Sequence, residues 1–416
     1  MNESRTLEFK QEISHTFLKT VSAFSNYNGG TIMFGIKDDG SIVGIEEPTL
    51  KCLDIENLIN ANIDPLPDYS LQVDYKTNVI SLIVLEGIHK PYFYKNKAYT
   101  RNDTSTVEID RLELTRLVLE GQNLNFEDLK SKKSDLSFSV LESKLIDNLH
   151  IDSLNKDILK TLELYSDNNG YNNAALLLSD NNNFPGIDMV RFGLDLNILE
   201  DRRTLDNMSI LKQLDEAISM FEQYYTYEKI DDVLRKKVEL IPEKAFREAI
   251  ANALVHRSYD INNHITVSMH CDCIEVVSSG GLPKGISKEE YIRGVISILR
   301  NPIIGMVFYR LNIIEKFGTG IRRIIECYKD STSKPKFEID ENSIRITLPV
   351  FNDPTILNKD EKMIVDSLNH RSLSISELSN TTKFSKSKVL YVIKDLINKG
   401  CVQIIGNGRG TKYTLL

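Results

Sequence analysis

Three carboxylates and a lysine crowd the start of the chain: Glu3, Glu8 and Lys10 in NESRTLEFKQE, and Asp38 in the later TIMFGIKDDG. Gathered carboxylates hold Mg²⁺ or Mn²⁺, hard cations that take oxygen ligands and neutralise the charge developing at a phosphodiester during cleavage. Glu3 and Glu8 would face opposite sides of a continuous strand, so a shared site needs a turn or bulge near Ser4 to Thr6. The same residues have a plainer reading, with Glu8 a strand-edge charge paired to Lys10 and Asp38 and Asp39 turn formers. Residue type and spacing leave both readings open.

A second group lies near the middle. In FREAIANALVHRSY, Glu248 and Asn252 are one helical turn apart and share a face. The asparagine amide oxygen can ligate Mg²⁺, and the glutamate can orient a water toward a γ-phosphate. Downstream, SSGGLPKG and EKFGTGIRR place Gly280 and Gly281, then Gly318, Thr319 and Gly320, in turns whose amides can approach phosphates, the second opening a helix. Lys95, Lys97 and Arg101, interleaved with Tyr92, Tyr94 and Tyr99, suit a surface for phosphates and bases, though tyrosine at strand spacing is also ordinary sheet chemistry. His270, Cys271 and Cys273 have no second cysteine pair at zinc-ribbon spacing and read as strand residues.

The elements that must position these residues follow from periodicity. Phe17, Leu18, Val21, Phe24 and Tyr27 mark one helix face ending at NYNGG, where Asn28 and Gly29 can take left-handed conformations. TIMFGI and SIVGI predict one hairpin around DDG, SLQVDYKTNVISLIVLE a second, and KPYFYKNKAYTRNDTST a short strand pair. A polar linker begins near residue 123, followed to about residue 240 by a mainly helical stretch with one strand at DMVRFGLDL and no evident chemistry. A long helix then carries Glu248 and Asn252 into strands HITVSMHC and CIEVVSS. From residue 355 the order is helix, helix-turn-helix and hairpin, that of a winged helix. Ser385, Lys386, Ser387 and Lys388 open the second helix of its helix-turn-helix, and Asn407, Gly408, Arg409 and Gly410 tip its wing. Those donors suit a major groove and its flanking phosphates, with protein contact as the alternative use.

At 416 residues the chain predicts two to four domains of roughly 100 to 200 residues. Its 41% hydrophobic and 26% charged content excludes a mainly disordered chain. Five cysteines read as reduced thiols, which with the lack of an apolar membrane span or signal core predicts a cytoplasmic protein. The net charge of -8 argues against a generic nucleic-acid sponge. It is uneven: residues 355–416 hold ten Lys and Arg against five Asp and Glu, net +5, which places duplex contact at the C-terminal end.

The segments ESRTLEFKQ, VSAFSNYNGGTIMFGIKDDGSIVGI and YTRNDTST resemble the Schlafen AlbA-type domain, or divergent AAA family, over residues 1–122. The resemblance implies an RNA-cleaving triad at Glu3, Glu8 and Asp38, as in animal Schlafens, or DNA-binding regulation, as bacterial members are usually described. Schlafen cleavage depends on two paired lobes, and this chain has one, so a homodimer or higher oligomer would supply the second. Residues of about 243 to 330 are similar to the RecG-related C-terminal domain, a divergent relative of the GHKL ATP fold. That similarity implies ATP with Mg²⁺, with Glu248 and Asn252 as the metal box and the two glycine turns as phosphate boxes. Ser278 or Ser279 stands where the parent fold has its adenine-binding aspartate. The whole is expected as an α+β multidomain chain: Schlafen AlbA-type domain (1–122), helical connector (123–240), GHKL-like α/β sandwich (241–350) and winged helix (355–416). The implied function is a nucleic-acid-binding, nucleotide-responsive transcriptional regulator; the alternative is a metal-dependent RNA or DNA endonuclease of defence or toxicity.

Overall fold

The computed structural model describes residues 2–193, 196–231, 234–283, 285–294, 298–315, 318–331, 333–351, 359–368, 371–398, 401–406 and 408–415. The chain divides into two compact units, Met1–Leu129 and Lys130–Leu416.

In the first unit, strand Leu7–Lys10 pairs in parallel with Gly30–Phe34, with helix Phe17–Asn26 as the crossover between them. Phe17, Leu18, Val21 and Phe24 are buried against Ile32, Phe34, Ile80 and Leu82, as the helical period predicts. Each such side chain stabilises the unit by about 1.5–3 kcal/mol through burial. Asn28 and Gly29 both have positive φ and release the chain into the next strand. Gly30 is required there, because a Cβ would lie 2.6 Å from the Phe24 ring. The sheet continues antiparallel through Val79–Val84 to Tyr69–Asp74, the expected second hairpin. The expected first hairpin shrinks to a single bridge between Ile36 and Ile42, since the parallel partner occupies one edge of Gly30–Phe34 and Val79–Val84 the other.

The second unit centres on a six-stranded sheet in the order Leu199–Leu205, Ile187–Phe192, Ile265–Met269, Cys273–Ser279, Ser343–Pro349, Lys336–Ile339. Ile187–Phe192 lies in the segment expected as a helical connector, yet it pairs in parallel with Ile265–Met269, so that segment supplies two strands of this sheet. Helices Ile210–Tyr225 and Glu243–His256 pack together through Phe221 and Phe246, stacked 4.5 Å apart and both fully buried.

At the C-terminal end, helices Lys359–Leu368, Ile375–Thr382 and Lys386–Asn398 precede a hairpin of Val402–Ile405 and Lys412–Leu415. Leu373 bridges Tyr413 and ties the hairpin to the helices. Ile364, Leu378, Val389, Ile393 and Leu396 form its core. Ser374 and Glu377 close a reciprocal capping box at the second helix, which holds the Glu377 carboxyl below its ordinary value. No helix among the described residues is long and apolar enough to cross a membrane.

Candidate functional site

The turn that would bring Glu3 beside Glu8 is present. Ser4 and Leu7 exchange backbone hydrogen bonds, and the Phe9 amide donates to Glu3 Oε1 at 2.8 Å. Glu8, 6% exposed, pairs with Lys10 at 2.5 Å and with the Arg101 guanidinium. Arg101, 3% exposed, also donates to the carbonyls of Ser4 (3.0 Å) and Leu7 (3.1 Å) and lies over the Phe24 ring. The charge of Glu3 acts on the same guanidinium. Asp38 is exposed on the following loop, where its neighbour Asp39 forms the turn by accepting from the Ser41 amide.

These contacts correct two expectations. Among the described residues no group of three or more His, Cys, Asp or Glu side chains is arranged to hold a metal ion, so Glu3, Glu8 and Asp38 do not form the expected cluster. The physical reason is that a buried guanidinium and a lysine already neutralise Glu8. Arg101, expected at phosphates, is instead an internal clasp on the first strand. The tyrosines expected to stack bases, Tyr92, Tyr94 and Tyr99, are buried in the core. Lys97 pairs with Glu108 at 2.7 Å, and Lys95 lies over the Tyr94 ring.

In the C-terminal module, the Ser385 hydroxyl caps its helix by accepting from the Lys388 amide. Lys388 turns inward, pairing with Asp360 Oδ2 at 3.1 Å and lying 3.7 Å from the centre of the Phe384 ring, so it is not a free phosphate donor. The outward residues of this helix are Lys386, Ser387, Leu390, Tyr391 and Lys394, the last three not anticipated although helical spacing places them on that face. Asn407 and the Arg409 side chain, expected at the wing, lie outside the described residues.

Glu248, Asn252, Gly318 and Gly320 line one cleft. Helix Gly320–Cys327 crosses helix Glu243–His256 so closely that a Cβ on Gly320 would lie 2.8 Å from Glu248 Oε2 and 2.9 Å from Asn252 Nδ2. Arg323 donates to Glu248 Oε1 at 2.8 Å and pairs with Glu315, on which the Thr319 hydroxyl also leans at 3.4 Å. Arg323 was missed because its pairing to Glu248 spans 75 positions of sequence. Among the described residues Asn252 Nδ2 and His256 Nδ1 are buried without a hydrogen-bond partner, and burial lowers His256 to a pKa of about 4. Gly280 and Gly281 do not line this cleft. A Cβ on Gly280 would meet Ser258 Oγ at 2.5 Å and one on Gly281 the Glu341 carbonyl at 2.3 Å, so these glycines serve close packing.

The donor chemistry of the cleft fits a polar ligand. Its cavity volume of about 40 Å³ has room for a few waters. Arg323 neutralises the carboxylate that would face a metal or a water, and Ser278 lies outside this cleft, in a smaller neighbouring pocket that Asn252 and His256 also line.

Comparison with known proteins follows this division. Residues 3–110 match the Schlafen, AlbA_2 family model. Residues 262–348 match the model described as putative ATP-dependent DNA helicase recG C-terminal, a span that begins after Glu248 and Asn252. Both matches are to nucleic-acid-related domains. No curated protein matches the chain. Among solved structures, the DIP2311 protein from Corynebacterium diphtheriae is 18% identical with a TM-score of 0.48, covering 99% of this chain and 92% of that one. The N-terminal domain of a putative ATP-dependent DNA helicase RecG-related protein from Nitrosomonas europaea is 22% identical with a TM-score of 0.21, covering 27% of this chain and 85% of that one.

Proposed function

We propose that this chain is a DNA-binding regulator that contacts duplex DNA through a C-terminal winged helix. The observation that carries the reading is the two-sided helix Lys386–Asn398: Val389, Val392, Ile393 and Leu396 are buried, while Lys386, Ser387, Tyr391 and Lys394 face outward. The surrounding excess of basic residues suits phosphates, and the outward face is one helix wide, as a major groove admits. A homodimer would present two such helices and gain affinity by engaging both half-sites.

The test is anisotropy of labelled duplex DNA across a salt series. Affinity is expected to fall steeply with salt, and Lys386→Ala and Lys394→Ala are each expected to reduce the slope by about 1. Unchanged affinity and slope in the double variant would sink this reading.

A second reading, a nucleotide-responsive cleft, is favoured by the unpartnered Asn252 Nδ2 and His256 Nδ1. It requires the walls around Asn252 to part. Saturating ATP with Mg²⁺ would then raise the melting temperature, since ligand at about 100 times its Kd stabilises by roughly 2.7 kcal/mol. A melt that does not move in millimolar ATP would remove nucleotide from the proposed function.

A further inference from the structure

A pocket in the second unit, within the stretch whose sequence shows no evident chemistry, has a cavity volume of about 340 Å³, at the lower end of the small-ligand range. Lys130, Lys133 and Lys156 line it together with Tyr165, Tyr171 and Asn169, and no carboxylate is among its lining residues. Hairpin Tyr165–Ser166 and Gly170–Tyr171 forms one wall, turned by Gly170 at φ +74° and held by the Asn169 amide donating to Ser166 Oγ at 3.1 Å.

The wall is aromatic. The Tyr165 and Tyr171 rings meet edge to face at 5.1 Å, and Phe138 backs Tyr171 at 5.7 Å. The lysines are available to a ligand. Lys130 and Lys156 are exposed, the Lys156 ammonium lies 5.3 Å from the centre of the Tyr165 ring, and Lys133 leans on the neutral Asn183 amide at 3.1 Å. Of the aspartates that border the pocket residues in sequence, Asp157 and Asp167 pair with Lys160 at 3.9 and 2.8 Å and Asp135 is exposed. Three ammonium groups without a carboxylate favour a phosphate, and tyrosine rings beside them favour a planar base.

We propose that this pocket binds a single nucleotide unit, its phosphate on Lys130, Lys133 and Lys156 and its base against Tyr165 and Tyr171. Bases in a duplex are stacked away from such a wall, so the unit comes from a free nucleotide or from a single strand. The inference is independent of duplex binding by the C-terminal helix.

The test uses the full chain with a labelled single-stranded tetranucleotide, unlabelled AMP and inorganic phosphate, read by anisotropy and calorimetry. The tetranucleotide is expected to bind, with Lys130→Ala and Lys156→Ala each lowering the salt slope by about 0.7 and Tyr165→Leu weakening affinity about fivefold or more. AMP competing as well as the strand identifies a free nucleotide as the source; the strand alone binding identifies a strand. Lys130→Arg and Lys156→Arg are expected to restore the slope, which separates charge from folding. Unchanged affinity in the lysine variants, or displacement by inorganic phosphate as effective as by AMP, overturns the proposal. Loss of binding in Asn252→Ala but not in Lys156→Ala also overturns it, by placing the nucleotide in the other cleft. Lys386→Ala with Lys394→Ala tests duplex binding separately and is expected to leave tetranucleotide binding intact.

Discussion

Two glutamates of this chain, Glu8 and Glu248, are both buried and both held by an arginine, yet their surroundings differ in kind. Around Glu8 the clasp is complete: Arg101 satisfies two backbone carbonyls as well as the carboxylate, and Lys10 takes the remaining charge. Around Glu248 it is incomplete, because Arg323 is shared with Glu315 and two neighbouring polar atoms, on Asn252 and His256, have no partner among the described residues. A buried polar group with every partner made is part of the scaffold; one left unmade costs stability, and a ligand or water that supplies the partner recovers it. Acidity and early position in the chain do not separate these cases, whereas satisfaction of the neighbours does.

The largest effect that bears on this contrast is expected at Arg101. Arg101→Ala leaves Glu8 buried beside Lys10 alone and frees two carbonyls, and should destabilise the first unit by about 3–5 kcal/mol in denaturant unfolding. A loss below about 1 kcal/mol would mean that the clasp is not structural and would return Glu8 to the candidates for chemistry.

The next effect is pH dependence at the incomplete site. The folded pKa of His256, about 4, lies below its ordinary value of 6.5 because burial, with Arg300 nearby, disfavours the cation. Stability from the neutral ring is therefore whole above about pH 6.5 and lost as pH falls toward 4, on the order of 3 kcal/mol in total. His256→Gln should flatten stability across that window; an unchanged slope would show that the ring is not confined as described.

Gly320→Ala should cost less, about 1–2 kcal/mol, because a methyl pressed on Glu248 and Asn252 is partly offset by better helix propensity. A neutral or stabilising result would show that the two helices separate readily, which is what nucleotide entry requires. The smallest effect belongs to the exposed Lys97 and Glu108 pair, where Glu108→Gln should leave the denaturant midpoint essentially unchanged. That near-zero value sets the scale against which the two buried glutamates are read.

Much of the local structure was legible in the sequence. Helix Phe17–Asn26, the hairpin of Tyr69–Asp74 with Val79–Val84, and the shared face of Glu248 and Asn252 all follow from spacing. Helix Pro48–Asn62 was missed because only Ile55 and Ile59 of it are buried, too few to mark a face. Strand Leu199–Leu205 is a polar sheet edge with Leu205 alone buried, so it lacks the alternation of a half-buried strand. The fate of the candidate sites was hidden for another reason. Arg101 finds Ser4 and Leu7 across 97 and 94 positions of sequence, and no local pattern reports whether a charge will meet its partner at that separation.

The pairing of Ile187–Phe192 with Ile265–Met269, and of Cys273–Ser279 with Ser343–Pro349, has a consequence for the order in which the chain can acquire structure. During synthesis the first unit has all of its sequence once residue 129 has emerged, whereas the six-stranded sheet cannot close until residue 349 is available. Contacts that distant form slowly, and until they form the apolar strands between residues 187 and 279 have open edges. The nascent second unit is thus the part of this protein that would depend most on chaperones, and slowed translation before residue 349 would lengthen its exposure.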